Sequence, residues 1–143
     1  MKLSTRDFGV VEVEESEIVT FTGPIFGFES YRRFVFLYQE DVSEHFIWLQ
    51  SVENPDLCFI LVQPSLVMEP YEPQLPAEAQ ELLGDGVYMC WLLVSIREPF
   101  DRSTVNLKSP VVVNPALHRA AQFILDADLP LRHPLFREEE SAC

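Results

Sequence analysis

Short runs of apolar residues, many of them alternating with polar ones, recur along the chain. GVVEVEE at 9–15 alternates valine and glutamate, which is the period-two pattern of a half-buried β-strand. EIVTF at 17–21 has a similar character and follows after a very short connection. Two such strands joined by a short connection predict a β-hairpin.

Further strands are predicted wherever a short apolar run is rich in β-branched or aromatic residues. These runs lie at 33–39, 45–52, 57–63, 87–96 and 120–126, and TVNLKSPVVVN at 104–114 predicts two short strands separated at Pro110. Glu53-Asn54-Pro55-Asp56, between two of the runs, is strong turn chemistry because Asn and Asp bond their own backbone and Pro fixes φ.

One segment has a helical pattern. LPAEAQELLG at 75–84 places Pro76 in a first turn and Gly84 where a helix would end. We therefore predict one short α-helix near 76–83. About nine strands and a single helix indicate an all-β barrel or sandwich, and we favour a small antiparallel β-barrel-like single domain over 1–137. The last residues, 138–143, are expected to form an acidic solvated tail.

Charge narrows the range of partners. The chain has 23 acidic and 10 basic residues and a net charge of −13, while 48% of its residues are hydrophobic. The apolar content predicts a packed core. A negative field repels phosphate, so direct nucleic-acid binding is not expected. Two interpretations are open: the same field attracts a basic protein, or it only keeps a cytoplasmic domain soluble.

The chain shows little sign of membrane, metal or catalytic chemistry. No apolar run approaches the ~20 residues that span a bilayer, and the start lacks a secretory signal, so we expect a cytoplasmic protein without membrane contact. Cys58 and Cys90 lie in apolar runs, there is no CxxC pair, and the three histidines have no ligand spacing. We expect no metal site, no cofactor and no catalytic residues.

Two segments mix aromatic and acidic residues. VMEPYEPQLP at 67–76 contains three prolines and must run extended over the surface, because proline removes backbone donors. It could dock a basic partner, or it could be a strap across one end of the barrel. FTGPIFGFESYRRF at 21–34 predicts a corner between two strands, with Phe26 and Phe28 covering the barrel end and Glu29 beginning a short helical turn.

Several motifs, in order along the chain, together resemble the flagellar assembly factor FliW family. They are the Phe21–Glu29 corner and, further along, FIWLQSVENPDLCFILVQPSL (46–66), EPYEPQLP (69–76), VNLKSPVVVNP (105–115), QFIL (122–125) and LPLRHPLF (129–136). The resemblance implies a small β-barrel-like protein without enzymatic activity. It further implies binding of flagellin in the cytoplasm and, once flagellin is exported, binding of the translational regulator CsrA. Bound CsrA would lose its grip on RNA through an allosteric effect, which relieves repression of flagellin translation.

From the residues, we expect partners to contact acids near apolar groups. The candidate partner-binding residues are Glu29, Glu53, Asp56, Glu69, Tyr71 and Glu72. Two alternatives remain open. One is a small-molecule-binding β-barrel, a sensor or an enzyme, whose cavity would be lined by Phe46, Trp48 and Tyr88. The other is a secretion chaperone that binds flagellin only.

Overall fold

A computed structural model describes residues 1–23, 25–38 and 45–135. Over these residues the chain forms eleven β-strands and one α-helix. The strands are β1 (Lys2–Thr5), β2 (Gly9–Glu12), β3 (Val19–Phe21), β4 (Arg33–Leu37), β5 (Phe46–Ser51), β6 (Cys58–Val62), β7 (Met89–Ser95), β8 (Thr104–Val105), β9 (Val111–Asn114), β10 (Arg119–Gln122) and β11 (His133–Pro134), and the helix is α1 (Glu78–Leu83). The predicted acidic tail at 138–143 lies outside the described residues.

Seven of the strands close into a barrel. Their order is β7-β6-β5-β4-β3-β10-β9, and β9 pairs back with β7. The neighbours are antiparallel except β3 and β10, which run parallel through Thr20↔Arg119 and Phe21↔Ala120. β8 pairs with the end of β7, and β11 pairs with β8. The prediction of an all-β, barrel-like domain with one short helix is confirmed, with one parallel pair in an otherwise antiparallel ring.

The barrel interior is filled by apolar side chains from every strand of the ring, because alternate residues of a strand point to the same face. Phe21 and Phe34 are fully buried there and meet edge to face with ring centroids 5.1 Å apart. The other buried members of this cluster are Val19, Ile25, Ile47, Leu49, Leu61, Trp91, Val111, Val113 and Ala120.

The N-terminal residues form a separate two-stranded ribbon on the outside of the barrel. β2 pairs antiparallel with β1, from Lys2↔Glu12 to Thr5↔Gly9. The ribbon packs Leu3 and Val13 against Val35 of β4. The predicted hairpin between 9–15 and 17–21 is therefore wrong. A 3-10 turn at Glu15–Glu17 turns the chain away, and β3 pairs with β4 and β10 instead.

The helix begins at Glu78, two residues later than predicted, and packs against β9 and β10. Ala79 and Leu83 are buried in a cluster with Val112, Ala121 and Phe123. At its end, the Nδ2 group of the buried Asn114 donates to the Leu83 carbonyl at 2.8 Å and to the Asp85 carbonyl at 3.0 Å. The helix C-terminus is thus attached to the barrel by a side chain of β9, which satisfies carbonyls that a helix end leaves without partners.

Candidate partner-binding surfaces

The six predicted partner-binding residues fall into two groups at opposite ends of β6. Glu53 and Asp56 lie in the turn that precedes Cys58, whereas Glu69, Tyr71 and Glu72 follow Val62. Glu29 belongs with the first group, because the neighbouring Phe28 packs edge to face on Phe59 of β6, with ring centroids 5.1 Å apart. The residues therefore form two surfaces rather than one site.

The segment 67–76, which we call the strap, contains no strand or helix residue. Its fixed point is Tyr71, whose hydroxyl donates to the Leu107 carbonyl at 2.7 Å. The tyrosine ring packs against the buried cluster that includes Leu92, Leu107 and Leu135. Burial raises the pKa of this hydroxyl above its ordinary value. Tyr71 thus helps to hold the strap on the barrel, while its half-buried side chain also lines the surface.

The two acids of the strap lie at the surface, whereas Tyr71 is half-buried. Glu69 and Glu72 are exposed, and neither makes an ion pair with another described residue. They border a groove of about 570 Å³ that we call the strap groove. Its other lining residues are Gln63, Pro64, Ser65, Met68, Pro70, Tyr71, Pro73, Tyr88, Met89, Cys90 and Trp91.

The floor of the strap groove is apolar and adaptable. Met68 and Met89 line it, and Met89 is 45% exposed. Methionine side chains are flexible and polarizable, so a surface built from them can adjust to a partner. Cys90 is a further lining residue, and burial raises the pKa of its thiol. The thiol therefore stays protonated and adds to the apolar floor.

A second groove, of about 700 Å³, lies along the strap, where Leu75, Leu125 and Leu129 line it together with Asp126. Met68, Pro70, Tyr71, Glu72 and Pro73 line both grooves. No lysine or arginine lines either groove in the part of the chain that the structure describes. A positively charged partner therefore meets carboxylates here without competing cations.

The acids at the other end of β6 are engaged within the protein. Glu53 Oε1 accepts backbone N–H bonds from Arg32 at 2.8 Å and Arg33 at 3.1 Å. These bonds, with that from Arg33 the larger cause, lower the pKa of Glu53. Glu29 Oε2 accepts the Gly27 N–H at 2.6 Å. Both carboxylates therefore hold the backbone of the corner, a role that the residue types alone did not reveal.

Asp56 lies in the turn that the sequence predicted. Its backbone N–H donates to Asn54 Oδ1 at 3.0 Å, and the Leu57 N–H donates to the Asn54 carbonyl at 3.1 Å. The Asp56 side chain is exposed. It remains available at the surface, although it lies far along β6 from Glu69 and Glu72.

The three aromatic residues proposed for a ligand cavity do not share one. Trp48 packs edge to face on Phe8, with ring centroids 5.9 Å apart. Phe46 packs on the cluster around Leu92. Tyr88 lies beside the helix and donates its hydroxyl to the Gly84 carbonyl. The predicted shared cavity is wrong: Trp48 alternates along β5 with the buried Ile47 and Leu49, so it points away from the barrel interior.

Over 1–23, 25–38 and 45–135, no group of three or more His, Cys, Asp or Glu side chains is placed to hold a metal ion. None of the helices in those ranges has the length and apolarity to cross a membrane.

The described residues thus form a small closed β-barrel with a filled interior and open grooves bordered by acids. Comparison with known proteins then identifies the family. The family model described as FliW protein matches residues 2–135. The chain belongs to the FliW family.

Individual relatives agree. The chain is 32% identical over 146 residues to the flagellar assembly factor FliW of Caldanaerobacter subterraneus subsp. tengcongensis, covering 99% of this chain and 97% of the relative. It is 37% identical over 141 residues to that of Geobacter sulfurreducens, covering 95% and 87%. A crystal structure of the flagellar assembly factor FliW superimposes with a TM-score of 0.89 at 33% identity, covering 97% of this chain and 99% of that one.

Proposed function

We propose that this protein is a non-enzymatic, protein-binding regulator of flagellum assembly in the cytoplasm. It binds flagellin before export. When free of flagellin, it binds CsrA and weakens the hold of CsrA on RNA, which relieves repression of flagellin translation. Membership of the FliW family supports the role in flagellum assembly. The two named partners follow from the resemblance of the sequence motifs to that family.

The observation that carries the proposal is the strap groove. Its floor is apolar, its border holds Glu69 and Glu72, and among the residues that the structure describes no lysine or arginine lines it. CsrA is an RNA-binding protein and is expected to present basic residues. Carboxylates that lack internal ion pairs offer such residues complementary charge, which speeds encounter and orients the partner. We therefore assign CsrA to the strap groove.

The mode of action is the one that the resemblance to the FliW family implies. We infer that the protein acts on CsrA from outside the RNA site, so that both RNA and this protein bind CsrA and each lowers the affinity of the other. RNA would then be released faster when this protein is added, a result that simple occupation of the RNA site does not produce.

The test is a double charge reversal, Glu69→Lys with Glu72→Lys. We expect the variant to bind CsrA about tenfold or more weakly than the wild type at low salt. The difference between the two proteins should become much smaller at higher salt, because salt screens exposed charges. The matched control is Glu78→Lys with Glu81→Lys, which changes net charge equally at exposed positions of α1. Binding is measured by titration calorimetry, and RNA release by fluorescence anisotropy.

Three results would count against the proposal. Equal losses in the two double variants would show that only net charge matters and not the groove. Unfolding of the groove variant, detected by thermal melting, would show that Glu69 and Glu72 are structural. Flagellin binding by the wild-type protein without any effect on CsrA-bound RNA would favour the flagellin-only chaperone.

A further inference from the structure

Two of the three methionines of the chain line the strap groove. The three are Met1, Met68 and Met89. Met68 reaches the groove from the strap, and Met89 reaches it from the first position of β7. Met1 instead lies beside the outer ribbon, where its ammonium group donates to the Val13 carbonyl at 2.7 Å. The groove to which we assign CsrA is therefore also the place where the internal thioethers of the chain meet.

A small oxidant in solution can reach the groove methionines. Met89 is 45% exposed, and Met68 is half-buried against the cluster that includes Leu92 and Leu107. A thioether has no proton to lose, so its sulfur needs no ionisation before it reacts. Its oxidation product is methionine sulfoxide, which is polar where methionine is apolar. The apolar character of the groove floor therefore depends on the oxidation state of two sulfur atoms.

The thiol beside Met89 competes only weakly for an oxidant. Burial raises the pKa of Cys90, and burial raises the pKa of Cys58 to about 11. The thiolate is the reactive form of cysteine, so both thiols react slowly at neutral pH. Among the residues that the structure describes, Met89 is thus the side chain that an oxidant in the strap groove modifies first.

We propose that Met68 and Met89 form an oxidation-sensitive site that controls the docking of CsrA in the strap groove. This inference rests on the proposed function, in which CsrA takes that groove. The oxidant is a hypohalous acid or a peroxide. With hypochlorous acid, the thioether Sδ gains the oxygen atom and loses two electrons, while chlorine is reduced to chloride and a proton is released. With hydrogen peroxide, the other product is water.

A sulfoxide in the groove weakens docking because its oxygen loses water when a partner covers it. The Tyr71 and Tyr88 hydroxyls of the groove already donate to backbone carbonyls. The ionised carboxylates of Glu69 and Glu72 accept hydrogen bonds and donate none. A partner surface shaped for the apolar floor would bury the sulfoxide oxygen without a replacement hydrogen bond, which is unfavourable. Oxidation thus leaves CsrA free to repress flagellin translation.

The test compares the affinity of one protein for CsrA before and after oxidation. The wild-type protein is treated with hypochlorous acid, the excess is quenched with free methionine, and dithiothreitol restores oxidised thiols before CsrA is added. Peptide mass spectrometry measures sulfoxide at each methionine. We expect CsrA to bind about tenfold or more weakly after oxidation, because a polar oxygen is buried. Methionine sulfoxide reductases, one for each sulfoxide epimer, should restore the affinity, and dithiothreitol alone should not.

The matched control is Met68→Leu with Met89→Leu, which keeps Met1 and all three cysteines. Met1 is 42% exposed, close to the 45% of Met89, so the same treatment oxidises a methionine of similar exposure outside the groove. The affinity ratio before and after oxidation should be about one in this variant, whatever its own affinity for CsrA. Reversal by the reductases is read in the wild type and does not depend on the variant.

Four results would overturn the inference. They are unchanged CsrA affinity when Met68 and Met89 are both oxidised, a loss that the reductases do not reverse, an equal loss in the double variant, and unfolding of the oxidised protein in thermal melts. Failure of the proposed function looks different, because the untreated wild-type protein would then not bind CsrA, and this inference would fall with it.

Discussion

The side chain of Asn114 is expected to contribute strongly to the stability of the fold through its hydrogen bonds. This side chain is fully buried in β9. Its Nδ2 group donates to the carbonyls of Leu83 and Asp85, and its Oδ1 atom accepts the Ala116 N–H at 3.2 Å. One side chain therefore joins the end of α1, the following turn and the β9–β10 connection. The substitution Asn114→Ala removes all three bonds at once.

The expected cost follows from these contacts. Each hydrogen bond contributes about 1 kcal/mol net, and a buried group left without a partner adds its own penalty, so we expect a loss of about 2–4 kcal/mol in the free energy of unfolding. Domains have about 5–15 kcal/mol in total. At about 2–4 °C per kcal/mol for a chain of this size, the melting temperature should fall by roughly 5–15 °C.

The assay is urea denaturation followed by circular dichroism, with calorimetry for the melting temperature. Asn106→Ala is the matched control, because Asn106 is only half-buried and its Oδ1 accepts two local backbone N–H bonds, from Lys108 and Ser109. It should lose only about 1 kcal/mol. A loss in Asn114→Ala no larger than in Asn106→Ala would refute the argument that buried, long-range hydrogen bonds of this side chain hold the helix on the barrel.

Three further predictions concern single residues. The pKa of Glu53 is lowered from its ordinary 4.5, so its carboxylate stabilises the fold above pH 4.5 and stops doing so as pH falls through the lower folded-state value. The difference in unfolding free energy between wild type and Glu53→Gln should therefore shrink on acidification, and a difference independent of pH would contradict this. Burial raises the pKa of Cys58 from 9.0 to about 11. In a Cys143→Ser variant, alkylation of Cys58 at neutral pH should therefore be about 100-fold slower than that of a free thiol. Rapid labelling of Cys58, measured by mass spectrometry, would contradict this prediction. Gly84→Ala should lower the melting temperature of the protein more than Gly27→Ala does. Both glycines have positive φ, but only at Gly84 does an added Cβ lie 2.5 Å from another side chain. Equal decreases in melting temperature would mean that backbone strain accounts for the whole effect.

Local chemistry was sufficient to place many of the elements. The Glu53-Asn54-Pro55-Asp56 turn and the apolar runs beside it predicted β5 and β6 closely, since turn residues and strand periodicity act over a few residues. The strap was predicted to stay out of the sheet because its prolines lack backbone donors, and it does. β1 and β11 were missed, because four polar-rich residues and a two-residue bridge carry no readable periodicity.

The candidate surfaces were only partly predictable. The acids of the strap were recognised, and they do border a groove. Tyr71 and Glu53 were also chosen, but their polar atoms bind Leu107 and the backbone of Arg32 and Arg33. Phe26 was expected to cover the barrel end, whereas Ile25 enters the core. The sequence does not distinguish an exposed polar side chain from one that is hydrogen-bonded within the protein, because the hydrogen-bond partner comes from elsewhere in the chain.

Amino-acid order thus sets which residues are strands, where the chain turns and which segment cannot join a sheet, because these depend on φ, on backbone donors and on short-range alternation. The pairing of strands is a different kind of property. Backbone hydrogen bonds are alike for every residue, so periodicity does not say that β3 pairs with β10, or that β7 closes the ring with β9. Those pairings, and with them the separation of the strap groove from the corner along β6, follow from packing the whole apolar interior at once.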